Sequence, residues 1–104
     1  MNFFNFAQEF FRLRQFYYVA KAGSLTGAAK MLNLKHSTLS ESTKTLEYRL
    51  KTTLFIREAR GMKLTTDGER LFEYASKMFH EAEAFLKDFH IKEHEIQGEI
   101  KILT

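Results

Sequence analysis

At 104 residues the chain can form one small domain and one further element, but not a deep catalytic cleft together with a cofactor domain. A hydrophobic share of 44% is enough for a packed core, and the absence of cysteine excludes disulfides and thiolate metal sites, in agreement with a cytosolic protein. The formal net charge of +3 is unevenly spread: residues 1–65 hold eleven Lys/Arg and four Asp/Glu, residues 66–104 five and nine, so only the first half is suited to a polyanion.

No apolar run approaches the roughly 18 residues of a membrane span. The opening Met1-Asn2-Phe3-Phe4-Asn5-Phe6 lacks the basic start of a secretory signal. A membrane location is therefore not expected. The lack of proline suits long unbroken helices.

Leu13, Phe16, Tyr17 and Ala20 fall at helical spacing and predict a helix over residues 10–22, stopped by Gly23. Phe3, Phe6 and Phe10 extend its apolar stripe backwards, toward a start near residue 2. Ser24 is the expected N-cap of a second helix whose inward face is Leu25, Ala28, Ala29 and Leu32. After a break at Asn33-Leu34, a third helix buries Leu39, Thr43, Leu46 and Leu50. Its other face, with His36, Ser37, Ser40, Glu41 and Lys44, is mostly short and polar. A merely solvated helix favours Glu, Lys and Gln, whereas short hydroxyl side chains suit a helix lying in a groove.

Leu54 to Arg57 and Met62 to Leu64, joined through Glu58-Ala59-Arg60-Gly61, read as a β-hairpin with a basic tip of Arg57, Arg60 and Lys63. Thr66 with Glu69 fits a capping box for a fourth helix, with Thr65 the alternative cap. That helix is expected to run to about residue 94. Leu71, Ala75, Met78, Ala82, Phe85 and Phe89 form a heptad seam, broadened by Phe72, Phe79 and Leu86. Some 25 residues at 1.5 Å each reach nearly 40 Å, roughly more than a domain of this size can cover. The part near Leu71 must pack on its own domain, and the remainder calls for a partner, most simply a second copy. Gly98 to Thr104 alternates like the first strand of a further sheet.

Two helices with a tight break and a basic hairpin make a winged helix-turn-helix. The residues go further. Leu13-Arg14-Gln15-Phe16, Ala22-Gly23-Ser24-Leu25-Thr26-Gly27-Ala28-Ala29, Leu32, Leu34, Ser37, Leu39-Ser40, Leu46-Glu47, Leu50, Leu54-Phe55, Arg57, Arg60-Gly61, Leu64-Thr65 and Gly68-Glu69 resemble the N-terminal signature of LysR-type transcriptional regulators. The resemblance covers about residues 12–90. It implies a mostly α fold: a winged helix-turn-helix of three helices and a β-hairpin wing over residues 1–65, a dimerisation (linker) helix over 66–95, and the truncated start of an effector-binding domain over 96–104. It also implies a cytoplasmic homodimer that binds a pseudo-palindromic promoter site on double-stranded DNA.

With the third helix in the major groove, the expected base contacts are His36, Ser37, Thr38 and Glu41. The expected phosphate or wing contacts are Ser24, Thr26, Lys30, Lys35, Ser40, Lys44, Arg57, Arg60 and Lys63. Arg60 beside Gly61 is placed to enter the minor groove, and Arg57 has an alternative as an ion-pair partner of Glu47 or Glu58. The expected dimer interface is the fourth-helix seam with Phe72, Phe79 and Leu86. His36 stands where the family often has Gln. Three further residues depart from the family pattern. Lys35 replaces a capping Ser, leaving the helix start open toward Ser37. Glu41 replaces a basic or amide residue, and its carboxylate repels phosphate unless it accepts from a cytosine amino group. Lys51 replaces the usual Gly after the third helix, which requires a left-handed backbone there.

The N-terminal Phe-rich segment is extra relative to the usual family start and has two readings, a pack against a partner's linker helix or an adventitious apolar tail. His90 and His94 lie at i, i+4 near Glu93, but without further ligands they are expected to be solvated. No Gly-rich phosphate loop, nucleophile elbow or Ser-His-Asp order is present, so neither an enzyme nor a cofactor is expected. The competing function is a protein-interaction module that heterodimerises with full-length regulators.

Overall fold

The computed structural model describes residues 6–90 of the chain. Helix α1 spans Phe6–Ala22, α2 Leu25–Leu32 and α3 His36–Leu50. Strands β1 (Phe55–Glu58) and β2 (Gly61–Leu64) form an antiparallel hairpin, and α4 spans Thr66–Asp88. The expectations for residues 1–5 and 91–104, including Phe3, His94 and the alternating terminal segment, lie outside the described residues.

Each boundary has a local cause. Gly23 ends α1 at φ 71°, and its N–H donates to the Val19 carbonyl at 2.9 Å. One residue later Ser24 caps α2, its Oγ accepting from the Gly27 N–H at 2.9 Å. Asn33, left-handed at φ 54°, closes α2. Helix α3 starts at His36 behind Lys35, which offers no side-chain cap, so the start does not move to Ser37. Its far end is closed by Lys51 at φ 56°, the left-handed conformation its place in the sequence demanded.

The cap of α4 is Thr65, not Thr66. The Thr65 hydroxyl accepts from the Gly68 N–H at 2.9 Å and donates to the Thr53 carbonyl at 2.6 Å. This second bond ties the cap to the segment leading into β1, a tertiary advantage that no capping-box pattern displays. Helix α4 ends at Asp88, before the expected residue 94, with Phe89 as its C-cap and His90 left-handed at φ 56°.

Phe16, Val19, Leu25, Ala28, Leu39, Leu46, Leu54 and Phe55 are buried together where α1, α2 and α3 meet the hairpin. Phe16 and Phe55 have ring centroids 5.2 Å apart, linking α1 to β1. A side chain such as Phe16, 1% exposed, contributes about 3 kcal/mol or more through burial and close packing. The hairpin is fixed at both ends. The Met62 N–H donates to the Gly23 carbonyl at 3.0 Å, and the Thr65 N–H to the Leu54 carbonyl at 3.0 Å. Gly61 sits at φ 137° with the Gly23 carbonyl oxygen 2.3 Å from where a Cβ would be, so only glycine permits this approach.

Candidate nucleic-acid interface

Helix α3 divides by periodicity. Leu39, Thr43 and Leu46 are buried; Ser37, Glu41 and Lys44 are exposed on the opposite side, His36 and Thr38 are exposed at the helix start, and Ser40 is half-buried. The four residues expected at base edges are therefore all exposed over the first two turns. Lys35 is exposed at the helix start, and because it supplies no cap, the amides of that first turn lack a side-chain acceptor. A helix N-terminus in this condition favours an anion.

The other expected contacts come from three elements. Ser24 is half-buried at the start of α2; its lone pair is used by Gly27, and its hydroxyl proton can still donate. Thr26 and Lys30 are exposed on α2. Arg57, Arg60 and Lys63 are exposed on the hairpin, with Arg60 in the two-residue turn between the strands.

Pairing separates the wing cations. Arg57 lies opposite Met62 and Phe55 opposite Leu64, so alternation places Arg57 on the side of the hairpin that packs on the core. Lys63 lies opposite Ile56, on the other side. A shallow cleft between α3 and the hairpin is lined by Ser40, Thr43, Lys44, Glu47, Phe55 and Arg57, among others. The fold thus brings Lys44 of the third helix and Arg57 of the wing to one place. Arg57 forms no ion pair among the described residues. Glu47, one of its expected partners, instead accepts from the backbone N–H groups of Leu54 (2.7 Å) and Phe55 (3.2 Å), holding the start of β1 against α3.

The heptad seam of α4 is divided in the same way. Ala75 is fully buried, and Leu71, Phe72 and Phe79 are half-buried against the chain's own domain. Tyr17 stacks on Phe72 with centroids 5.3 Å apart and meets Phe79 at 5.0 Å, and Phe10 meets Phe79 at 5.4 Å. Phe10 of the Phe-rich segment therefore packs on its own α4. Farther along, Met78, Phe85 and Phe89 are 40%, 50% and 66% exposed, with Ala82 and Leu86 half-buried. Tyr74, 65% exposed and absent from the sequence-derived seam, continues the open stripe. Its spacing of four residues from Met78 was the available signal, but a tyrosine next to Glu73 and outside the heptad positions reads as surface.

Three tertiary contacts left no mark in the sequence pattern. The Thr52 hydroxyl donates to the Asp67 carboxylate, joining the end of α3 to the start of α4. Glu47 holds β1 as described. Glu9 accepts from both Arg12 and Arg49, the latter at 2.7 Å, joining α1 to the last turn of α3.

Three helices, a hairpin packed against them, and an exposed polar face on the third define a winged helix-turn-helix domain with a long helix attached. Residues 10–69 match the model of the bacterial regulatory helix-turn-helix proteins of the lysR family, and the chain belongs to that family. The regulator CzcR of Bacillus cereus is 38% identical over 92 residues, covering 88% of this chain and 32% of the relative. The transcriptional activator AmpR of Citrobacter freundii is 39% identical over 90 residues, covering 86% of this chain and 30% of the relative. The chain thus spans about a third of the length of these relatives. The crystal structure of the CbnR DNA-binding domain in complex with DNA superposes with a TM-score of 0.68 at 30% identity, covering 78% of this chain and 93% of that one. The BenM DNA-binding domain on its catB site 1 DNA gives 0.71 at 27% identity, covering 86% and 97%. Among the described residues no helix is long and apolar enough to cross a membrane.

Proposed function

We propose that this chain binds double-stranded DNA sequence-specifically as a homodimeric transcriptional regulator in the bacterial cytoplasm. The observation that carries the reading is the outer face of α3. His36, Ser37, Thr38 and Glu41 stand exposed together at the end of a helix whose first turn has no side-chain cap. The two hydroxyls and the imidazole can donate or accept at base edges and the Glu41 carboxylate can accept, while the uncapped helix start suits a phosphate. Lys44 and Arg57 at their common cleft, and the exposed Thr26, Lys30, Lys35, Arg60 and Lys63 on α2, at the start of α3 and on the hairpin, supply donors and positive charge for the duplex backbone. The likeness to two DNA-binding domains crystallised on DNA supports the same role.

Homodimerisation is supported by the apolar stripe of Tyr74, Met78, Phe85 and Phe89 on α4. Two such helices laid antiparallel would set the spacing of two recognition helices on a pseudo-palindromic promoter site. Titration of the protein onto its own promoter DNA and onto random duplex, at several salt concentrations, tests the whole reading. A preference for the promoter that persists as salt rises is the expected outcome. Equal binding to both duplexes at every salt would end the claim of specificity. The same stripe would serve a heterodimer with a full-length regulator, which co-expression and isolation of the mixed species would detect.

A further inference from the structure

We propose that Glu9 is a positioning residue for DNA recognition, and that the segment ahead of the family-matched residues braces the third helix through the Glu9–Arg49 ion pair. The proposal rests on the DNA-binding reading given above. The family match begins at residue 10, so Glu9 lies just outside it. Its side chain is only 15% exposed, and one carboxylate oxygen receives both the Arg12 and the Arg49 guanidinium. Arg12 is one turn away on the same helix, so that pair reinforces α1 alone. Arg49 belongs to the last turn of α3, so its pair crosses between elements.

Such a restraint matters for the recognition helix because its start has no side-chain cap and its finish is closed through a strained residue. Lys35 provides no side-chain cap at the start. At the finish Lys51 takes the left-handed conformation at φ 56°, a backbone state that disfavours side chains. His36 and Arg49 stand at opposite ends of a helix of 15 residues, about 20 Å apart along its axis at 1.5 Å per residue. The helix is a rigid lever: a small tilt at Arg49 displaces His36, Ser37 and Thr38 against the bases. Because Arg49 is itself at the far end, the pair acts on the orientation of the reading face without touching DNA.

Simple electrostatics leaves the ratio of promoter to random-duplex affinity unchanged and the brace lowers it, which makes that ratio the quantity to measure. Removing the Glu9 carboxylate makes the domain more positive, so by charge alone Glu9→Gln should tighten binding to every duplex. Under the brace, Glu9→Gln lowers the ratio of promoter to random-duplex affinity by about threefold or more, as loss of a partly exposed ion pair would. Arg49→Glu lowers it further. The exchanged pair, Glu9→Arg with Arg49→Glu, keeps the total charge and restores the ratio. Amide hydrogen exchange without DNA provides the independent arm. Exchange in the last two turns of α3 is expected to quicken in Glu9→Gln and to return toward the parent rate in the exchanged pair.

An unchanged affinity ratio and unchanged exchange in Glu9→Gln would overturn the proposal. So would failure of the exchanged pair to restore either quantity while the protein remains folded by circular dichroism. If the unsubstituted protein showed no promoter preference while the exchange arm behaved as described, the DNA-binding reading would fall, and with it the role in recognition.

Discussion

Lys44 and Arg57 approach the same cleft from a helix and from a strand, and that juxtaposition gives a sharper expectation than counting charges. Each cation that neutralises a separate phosphate steepens the dependence of log K on log salt by about 0.9 per copy. If both serve one phosphate, Lys44→Ala and Arg57→Ala together lower the slope by about 0.9 per copy, not by about 1.8. Salt titrations of the single and double variants distinguish the two outcomes, and full additivity would mean separate phosphates. A second residue-scale expectation concerns Thr43. Its hydroxyl is buried and has no hydrogen-bond partner among the described residues, with the residue only 6% exposed. Such a group costs about 1–3 kcal/mol in lost hydration, so Thr43→Val, which keeps the shape, is expected to raise stability by about 1 kcal/mol. Thermal unfolding should show a midpoint a few degrees higher; a lower midpoint would mean that the hydroxyl is satisfied in the folded protein.

The elements differ in how openly the sequence declared them. Helices α1 to α3 follow from apolar spacing, and their ends follow from Gly23, Ser24 and the break after Leu32, because these signals act within a few residues. The α4 cap was less legible. Thr65 and Thr66 both fit, and the bond from Thr65 to the Thr53 carbonyl, across twelve residues of chain, favours the first. No Gly or Asn marks the end of α4, so heptad spacing carried the expected helix past its actual stop. At this scale the tip of the wing depends on the close approach of Gly61 to the Gly23 carbonyl, which also accepts from the Met62 N–H. Gly61→Ala forces a Cβ into that oxygen at a positive φ, so we expect a loss of about 2 kcal/mol or more in urea unfolding. DNA affinity should fall with it, since the hairpin that carries Arg57, Arg60 and Lys63 would shift. An unchanged midpoint would show that the wing relaxes freely.

Across the whole molecule, α4 carries two adjacent apolar stripes. Phe72, Ala75 and Phe79 anchor it to α1 through Tyr17 and Phe10, and this fixes the direction in which the rest of the helix leaves the domain. The stripe of Tyr74, Met78, Phe85 and Phe89 remains exposed, the surface proposed above for a second copy. Phe85→Glu places a charge in that stripe without touching the α1 contact. Sedimentation equilibrium is then expected to report a monomer, and the salt slope of DNA binding to fall by about half, because half of the phosphates would be met. A dimer that survives this substitution would place the interface elsewhere.

The sequence by itself determined the order of the elements, the inward faces of the first two helices and the exposed polar surface of the third, though Leu50, expected on its buried side, is 45% exposed at the helix end. Periodicity, caps and turn residues act over short spans, and the family signature fixes their arrangement. Only the tertiary structure decided which seam residues are consumed by the chain's own domain, that Lys44 and Arg57 share a cleft, and that Glu9 reaches Arg49. Those outcomes depend on how side chains from distant segments compete for the same space and the same charges, and spacing along a single helix or strand carries no record of that competition.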